Sequence, residues 1–166
     1  MTGQTQGGGL LTSIGSDNLL MAYTHVAHDV TIGDHCILVN GVTLAGHVAI
    51  GDWVELSAFV GVHQFCRIGR HSFVGPHAVV TQDILPYSMT VSDREMKVFG
   101  ANRIGLERRG FSTEAIESLQ TSFRLLTRSQ LNTSQAIERI RAEVAPSAEI
   151  DELIEFIASS KRGVVK

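Results

Sequence analysis

Residues 14–84 read IGSDNLLMAYTHVAHDVTIGDHCILVNGVTLAGHVAIGDWVELSAFVGVHQFCRIGRHSFVGPHAVVTQDI, and this stretch decides the fold. An aliphatic residue occupies every sixth position, and the series runs unbroken through Ile14, Leu20, Val26, Ile32, Leu38, Leu44, Ile50, Leu56, Val62, Ile68, Val74 and Val80. A second position, four residues later in each hexad, is mostly small or β-branched, as at Val30, Cys36 and Val42. This period fits neither the 3.6-residue repeat of a helix nor the two-residue alternation of a single strand.

The six-residue period predicts short parallel strands joined by tight turns, with one large and one small side chain pointing inward per strand. Glycine recurs at a threefold longer period, at Gly15, Gly33, Gly51 and Gly69. Three strands therefore make one eighteen-residue coil, and the coils stack into a triangular prism at a strand spacing of roughly 4.8 Å. We expect a mainly β protein with a parallel β-helix over residues 14–84, after an irregular lead-in over 1–13.

The hexad pattern ends after residue 84, where Leu85-Pro86-Tyr87 interrupts it. We expect a connector over 85–111, with turns at Gly100 and Gly105. An α-helical part should follow over 112–166.

Three amphipathic helices are predicted in the last part of the chain. Their expected N-caps are Ser112, then Asn132 or Thr133, then Ser147, and Gly163 is expected to end the third helix. Helices this short bury no core alone, so they should pack on each other and on the β-helix.

Composition narrows the class of protein. The 166 residues carry a net charge of −3 and an isoelectric point near 6.1, which gives no reason to expect a nucleic-acid partner. No run approaches the roughly 18 apolar residues of a membrane span, and the polar, glycine-rich N-terminus is unlike a secretory signal. We therefore expect a cytoplasmic protein. Cys36 and Cys66 occupy inward positions on different faces of the prism, so we interpret them as packed thiols.

Four of the seven histidines fall in one window of five consecutive positions in the eighteen-residue coil. Residues eighteen apart should be stacked neighbours, so position within the coil predicts which side chains share an edge of the prism. The window holds His25, His28, Asp29, Gly46, His47, His63 and Gln64. The remaining histidines, His35, His71 and His77, fall elsewhere in the coil, and we expect them on the solvated surface.

The stacking predicts a catalytic arrangement. His28 should lie one coil below Gly46, whose backbone N–H could stabilise an oxyanion. Histidine is the usual general base near neutral pH, and Asp29 could orient a histidine and stabilise its charged form. No serine or cysteine has a nucleophile's position in the window, which favours direct attack by a substrate hydroxyl over a covalent intermediate.

The same histidines also permit a metal site. Three imidazoles and a water make a catalytic zinc centre, and the γ-class carbonic anhydrases build one on hexapeptide repeats across subunits. Spacing alone leaves this alternative open.

The chain resembles the UDP-N-acetylglucosamine acyltransferases of lipid A biosynthesis. The resemblance rests on Gly7-Gly8-Gly9, Gly15–Met21, His25–Asp29, Thr43–His47, Val62–Cys66 and Gly105–Ser112. It implies a left-handed β-helix, and a chain that begins inside that domain. The family's usual Gly-Asn-His in the connector reads Ser92-Asp93-Arg94 here.

The resemblance implies a specific reaction. A (3R)-hydroxyacyl chain passes from acyl carrier protein to the 3-hydroxyl of UDP-N-acetylglucosamine, with no metal and no cofactor beyond the phosphopantetheine of the carrier. His28 is the implied base, supported by Asp29, and Gly46 the implied oxyanion donor. The implied substrate contacts are His25, His47, His63, Gln64, Asn102, Arg108 and Arg109, the last three near the UDP end. Charge alone leaves two alternatives for Arg108 and Arg109. They either contact a phosphate or form a solvent-exposed charged pair before a helix.

The expected assembly is a homotrimer with active sites between subunits. The alternatives are a catalytically impaired fragment or binding paralogue of such an enzyme, and a zinc-dependent hydratase.

Overall fold

The computed structural model describes residues 11–92, 95–127 and 130–166. Most of the predicted lead-in and the Asp93-Arg94 pair of the connector lie outside these residues. Twelve two-residue strands form the β-helix: β1 (Ser13–Ile14), β2 (Leu19–Leu20), β3 (His25–Val26), β4 (Thr31–Ile32), β5 (Ile37–Leu38), β6 (Thr43–Leu44), β7 (Ala49–Ile50), β8 (Glu55–Leu56), β9 (Gly61–Val62), β10 (Arg67–Ile68), β11 (Phe73–Val74) and β12 (Val79–Val80).

The strands form three parallel sheets, as the hexad period predicts. Sheet A has the order β1-β4-β7-β10, sheet B contains β2-β5-β8-β11, and sheet C has the order β3-β6-β9-β12. The register confirms the eighteen-residue coil, because Ile14 pairs with Ile32 and Ile32 pairs with Ile50. The chain therefore winds through A, B and C in turn as a triangular prism.

The prism is filled by the two inward positions of each hexad. The aliphatic series is buried from Ile32 onward, whereas Ile14 and Leu20 in the first described coil are exposed. The second position is buried from Val30 onward, and it includes the polar Ser72, whose hydroxyl donates to the Gly69 carbonyl at 2.7 Å. Cys36 and Cys66 are free, buried thiols, as expected.

Each edge of the prism is a column of turns with one residue in the left-handed backbone region. These residues recur every six positions with φ between 56° and 72°: Asp17, Tyr23, Asp29, His35, Gly41, His47, Trp53, Phe59, Phe65, His71 and His77. We call the edges A–B, B–C and C–A after the sheets that their turns join. Residues eighteen apart in these turns stack on one another, so each edge carries a column of side chains, which Gly41 interrupts on the B–C edge.

The connector contains elements that the sequence did not predict. A hairpin of β13 (Ser88–Ser92) and β14 (Met96–Ala101) extends sheet B, with β13 parallel to β11. A short helix, α1 (Arg103–Arg108), follows. The expected turns at Gly100 and Gly105 are wrong, because Gly100 lies in β14 and Gly105 lies in α1. Close packing explains both glycines: a Cβ would meet the Gln120 side chain at 2.8 Å and the Asn102 amide at 2.4 Å, respectively.

Three longer helices complete the chain: α2 (Thr113–Thr127), α3 (Thr133–Glu143) and α4 (Ala148–Ala158). Ser112, Asn132 and Ser147 cap their N-termini, as predicted. Helix α2 packs on β14 and on both other helices. No helix among the described residues has the length and apolar character that crossing a bilayer requires.

The predicted end of the third helix at Gly163 is wrong. Helix α4 ends at Ala158, and Ser159 is its C-cap. The chain then leaves the helix axis because Gly163 and Val165 hydrogen-bond to Asp83 at the top of the prism. Gly163 does take the left-handed conformation of a helix-ending glycine, with φ of 74°. It does so beyond the helix, in the segment that pairs with Asp83.

Candidate active site

The C–A edge brings together the histidines that position in the coil groups. His28 and Asp29 lie in the turn between β3 and β4, Gly46 and His47 in the next turn above, and His63 and Gln64 in the turn above that. The His47 N–H donates to the His28 carbonyl at 3.1 Å, which confirms that these two turns are stacked directly. His25 lies beside them on β3.

His28, Asp29 and His47 form the centre of this edge. The Asp29 carboxylate lies 2.8 Å from His28 Nδ1 and 3.9 Å from His47 Nε2. The side chain of Asp29 is 10% exposed and that of His28 is 44% exposed, so the carboxylate is held inside while the imidazole faces solvent. Because a carboxylate accepts the Nδ1 proton, Nε2 of His28 keeps its lone pair and can take a proton from a bound group.

Gly46 lies against the His28 ring. A Cβ at this position would lie 2.5 Å from His28 Cε1 and 2.7 Å from Nε2, so any side chain here would force the ring to move. The Gly46 carbonyl accepts the Phe65 N–H at 3.2 Å, so the coil above is tied to the carbonyl and not to the Gly46 N–H. The His28 imidazole and the Gly46 backbone are therefore adjacent, which is the position that the stacking predicts.

Two further residues reach this edge without having been predicted. Phe65 stacks on His47 with ring centroids 4.7 Å apart, and Arg162 Nη2 lies 3.3 Å from His63 Nδ1. The signal for Phe65 was present in the sequence, since it lies eighteen residues after His47. Arg162 had no such signal, because it lies outside the repeat.

The three residues predicted at the UDP end lie on a different edge. The Asn102 amide nitrogen donates to the His71 carbonyl at 3.0 Å, and its amide oxygen caps α1. Both polar atoms of this side chain are therefore hydrogen-bonded within the chain. Arg109 packs over the Trp53 ring at 5.3 Å on the A–B edge, while Arg108 is exposed in the last turn of α1. Arg108 thus ends a short helix, which the sequence did not predict. Within one chain, these residues and His28 do not converge.

His71 corrects another expectation. It is buried at 5% exposure and stacks with Tyr87 at 5.7 Å, rather than lying on the solvated surface. The reason is that Tyr87 and Phe111 cover the upper A–B edge.

A metal could be held at the C–A edge by two imidazoles and a carboxylate. Among the described residues, His28, Asp29 and His47 each offer a ligand atom within 4.8 Å of the others. This set differs from the three imidazoles of the zinc alternative, and His28 Nδ1 already contacts the carboxylate.

Two family models match the chain. The model of UDP-N-acetylglucosamine O-acyltransferase domain 2 matches residues 83–165, and the six-repeat bacterial transferase hexapeptide model matches residues 11–46. The chain belongs to the UDP-N-acetylglucosamine O-acyltransferase family. The family resemblance read from the sequence is thereby confirmed.

Curated members of this family align with nearly the whole chain. The acyl-[acyl-carrier-protein]–UDP-N-acetylglucosamine O-acyltransferase of Xylella fastidiosa is 41% identical over 98% of the chain, and that of Leptothrix cholodnii is 44% identical over 94%. The chain spans 62% and 61% of the length of these relatives, respectively.

Solved structures of family members share the fold. The UDP-N-acetylglucosamine acyltransferase from Bacteroides fragilis superposes with a TM-score of 0.87 at 42% identity, covering 90% of this chain and 58% of that one. The Campylobacter jejuni enzyme gives a TM-score of 0.87 at 31% identity, covering 98% and 63%. The agreement includes both the β-helix and the helical part.

Proposed function

We propose that the chain transfers a (3R)-hydroxyacyl group from acyl carrier protein to the 3-hydroxyl of UDP-N-acetylglucosamine, the first step of lipid A biosynthesis. Family membership supports the reaction class. The observation that carries the proposal is the His28–Asp29 pair, with a 2.8 Å contact at Nδ1 and the other ring nitrogen beside the Gly46 backbone.

The proposed chemistry uses only these side chains and the substrates. His28 Nε2 takes the proton of the sugar 3-hydroxyl as its oxygen attacks the thioester carbonyl carbon. The Asp29 carboxylate stabilises the imidazolium that forms, and the Gly46 N–H stabilises the tetrahedral oxyanion. Collapse breaks the C–S bond, and the departing phosphopantetheine thiolate takes the proton from His28. No cofactor held by the chain is needed.

The remaining predicted contacts complete the proposed site from two edges of the prism. His25, His47, His63 and Gln64 would contact substrate on the C–A edge, while Asn102, Arg108 and Arg109 would act near the UDP end. Because the latter group lies on the A–B edge, we propose a homotrimer in which neighbouring left-handed prisms supply the two groups to one site. We also propose that the protein is cytoplasmic.

Substitution of His28 tests the proposal. His28→Asn should lower kcat/KM by roughly 10²–10⁴, the usual contribution of a general base. His77→Asn makes the same chemical change on the B–C edge, away from both groups, and should leave the rate near that of the unsubstituted chain. Transfer of a radiolabelled hydroxyacyl group to the UDP-sugar measures both.

Three outcomes would contradict the proposal. An unchanged rate in an active His28→Asn chain removes the assigned base. Binding of both substrates without turnover identifies a binding paralogue. Turnover abolished by a chelator and restored by zinc favours the metal-dependent alternative, for which His28, Asp29 and His47 supply the nearest ligand set.

A further inference from the structure

The C-terminal segment (residues 159–166) returns from α4 to the last turns of the β-helix. The Asp83 N–H donates to the Gly163 carbonyl at 2.9 Å, and the Val165 N–H donates to the Asp83 carbonyl at 3.0 Å. Asp83 and Val164 thus form a parallel bridge, which adds a short stretch of chain to the end of the prism. The segment is therefore fixed by backbone pairing rather than by side chains alone.

An ion pair with a buried carboxylate, Arg67–Asp83, fastens the same segment. The side chain of Asp83 is 2% exposed and accepts from Arg67 Nε at 3.0 Å and from the Ser160 hydroxyl at 2.9 Å. Arg67 also donates to the Phe156 carbonyl and lies over the Phe156 ring at 4.3 Å. These contacts join the prism, α4 and the segment into one unit, so the residues between Ser160 and Gly163 have a defined position.

Arg162 extends from this unit to the C–A edge. Its Nε donates to the Thr81 carbonyl at 3.2 Å, and its Nη2 lies 3.3 Å from His63 Nδ1. It also approaches Cys66, where it lowers a thiol pKa that burial raises by more. Thr81 and Cys66 thus orient the guanidinium toward His63.

His63 Nδ1 has two competing neighbours. It lies 3.3 Å from the Gln64 carbonyl oxygen, which can only accept, and 3.3 Å from Arg162, which can only donate. A neutral imidazole carries one proton, so the Nδ1–H tautomer satisfies Gln64 and the Nε2–H tautomer satisfies Arg162. A hydrogen bond from a charged donor is roughly twice as strong as a neutral one, which favours the tautomer that Arg162 requires.

We propose that Arg162 is a positioning residue that fixes His63 as the Nε2–H tautomer, so that His63 presents a hydrogen-bond donor to substrate. In the Nδ1–H tautomer, Nε2 of His63 would instead present a hydrogen-bond acceptor. The last residues of the chain thereby determine the polarity of one substrate contact. The effect on catalysis rests on the proposed function, whereas the effect on the tautomer does not.

Nitrogen NMR tests the tautomer directly. The full chain labelled with ¹⁵N-histidine is observed at pH 8, and His63→Asn assigns the His63 signals. The unsubstituted chain should show His63 protonated at Nε2. Arg162→Met should shift the population toward Nδ1–H, while Lys161→Met removes the neighbouring cation and should change nothing.

The acyltransfer assay provides the second measurement. Arg162→Met should lower kcat/KM about tenfold, the effect of one substrate hydrogen bond, and should have no further effect in the His63→Asn background. His63 found as Nδ1–H in the unsubstituted chain, or unchanged by Arg162→Met, overturns the proposal. An unsubstituted chain without turnover instead overturns the proposed function, and the NMR result then decides the role of Arg162.

Discussion

At position 46, the lack of a side chain determines where the proposed base can lie. The space that a Cβ would occupy is filled by the His28 ring, whose Cε1 is only 2.5 Å from it. Contacts under 3.0 Å to a Cβ require something to move, and the imidazole is the mobile partner. Gly46 therefore has two proposed functions: its N–H donates to the oxyanion, and its lack of a side chain leaves space for the His28 ring.

Replacement of Gly46 by alanine should separate catalysis from folding. The new methyl group should displace the His28 ring from its position beside the Asp29 carboxylate, and kcat should fall by at least about 10², since misplacement by about 1 Å has this cost. Gly46 has no positive φ, so the melting temperature should change little. Enzyme assay and thermal unfolding of the same preparation measure the two effects.

Gly61 supplies the matched control, because a Cβ there would meet nothing within 4 Å. Gly61→Ala should retain both the rate and the melting temperature. A Gly46→Ala chain with full activity would show that the His28 position is not critical.

Among the elements, the A–B edge joins the β-helix to the connector through a column of rings. His35 stacks on Trp53 with centroids 4.1 Å apart, and His71 stacks between Trp53 and Tyr87. Burial lowers the pKa of His71 to about 4, and the cationic Arg70 and Arg109 contribute in the same direction. The folded protein thus holds His71 neutral inside this column.

This histidine should make stability depend on pH. The unfolded chain binds the His71 proton with a pKa near 6.5 and the folded chain with one near 4, so the unfolded state binds more protons between these values. The stabilisation is present above pH 6.5 and is lost as the pH falls toward 4. Between pH 7 and pH 5 this loss is about 2 kcal/mol of unfolding free energy.

Urea unfolding at the two pH values measures this loss, and His71→Phe should abolish it. Phenylalanine already occupies the equivalent left-handed turn position at Phe59 and Phe65, so the substitution suits the backbone. An equal pH dependence in both chains would mean that His71 is not the group responsible.

The elements differ in how far the sequence predicted them. The β-helix was predictable because each hexad carries the same two inward positions, so one period repeats twelve times. The hairpin was not, because β13 buries Ser88 and Thr90 in place of apolar residues. Their hydroxyls bond to each other at 3.3 Å and Ser88 also bonds to the Leu85 carbonyl, which makes burial possible but removes the apolar alternation of a strand.

The candidate site was also predictable only where its residues lie inside the repeat. His28, Asp29, Gly46 and His47 were placed together because they lie inside the repeat, where sequence separation converts directly into spatial position. Arg162 lies 99 residues from His63, beyond a connector and three helices, and no periodicity relates the two. Contacts made by the helical part therefore required the structure.

In the whole molecule, the residues around His28 and the group of Asn102, Arg108 and Arg109 lie on different edges of the prism. His28 lies on the C–A edge and Arg108 is carried by α1 beside the A–B edge, so under the proposed function we expect two neighbouring prisms to supply them to one substrate. Large apolar side chains are exposed beside the two groups, including Phe65 at 52% on the C–A edge and Ile104 at 62% in α1 next to the A–B edge. Such surface suits burial between neighbouring prisms.

Hybrid assemblies test this arrangement without a structure of the oligomer. His28→Asn and Arg108→Ala chains, each of low activity alone, are co-expressed with different tags and purified through both. In a cyclic trimer of mixed composition, one site joins the intact Arg108 of one chain to the intact His28 of its neighbour, so about a third of the unsubstituted activity should return. Two differently tagged His28→Asn chains provide the inactive control. Hybrids no more active than this control would mean that His28 and Arg108 do not meet across a subunit boundary.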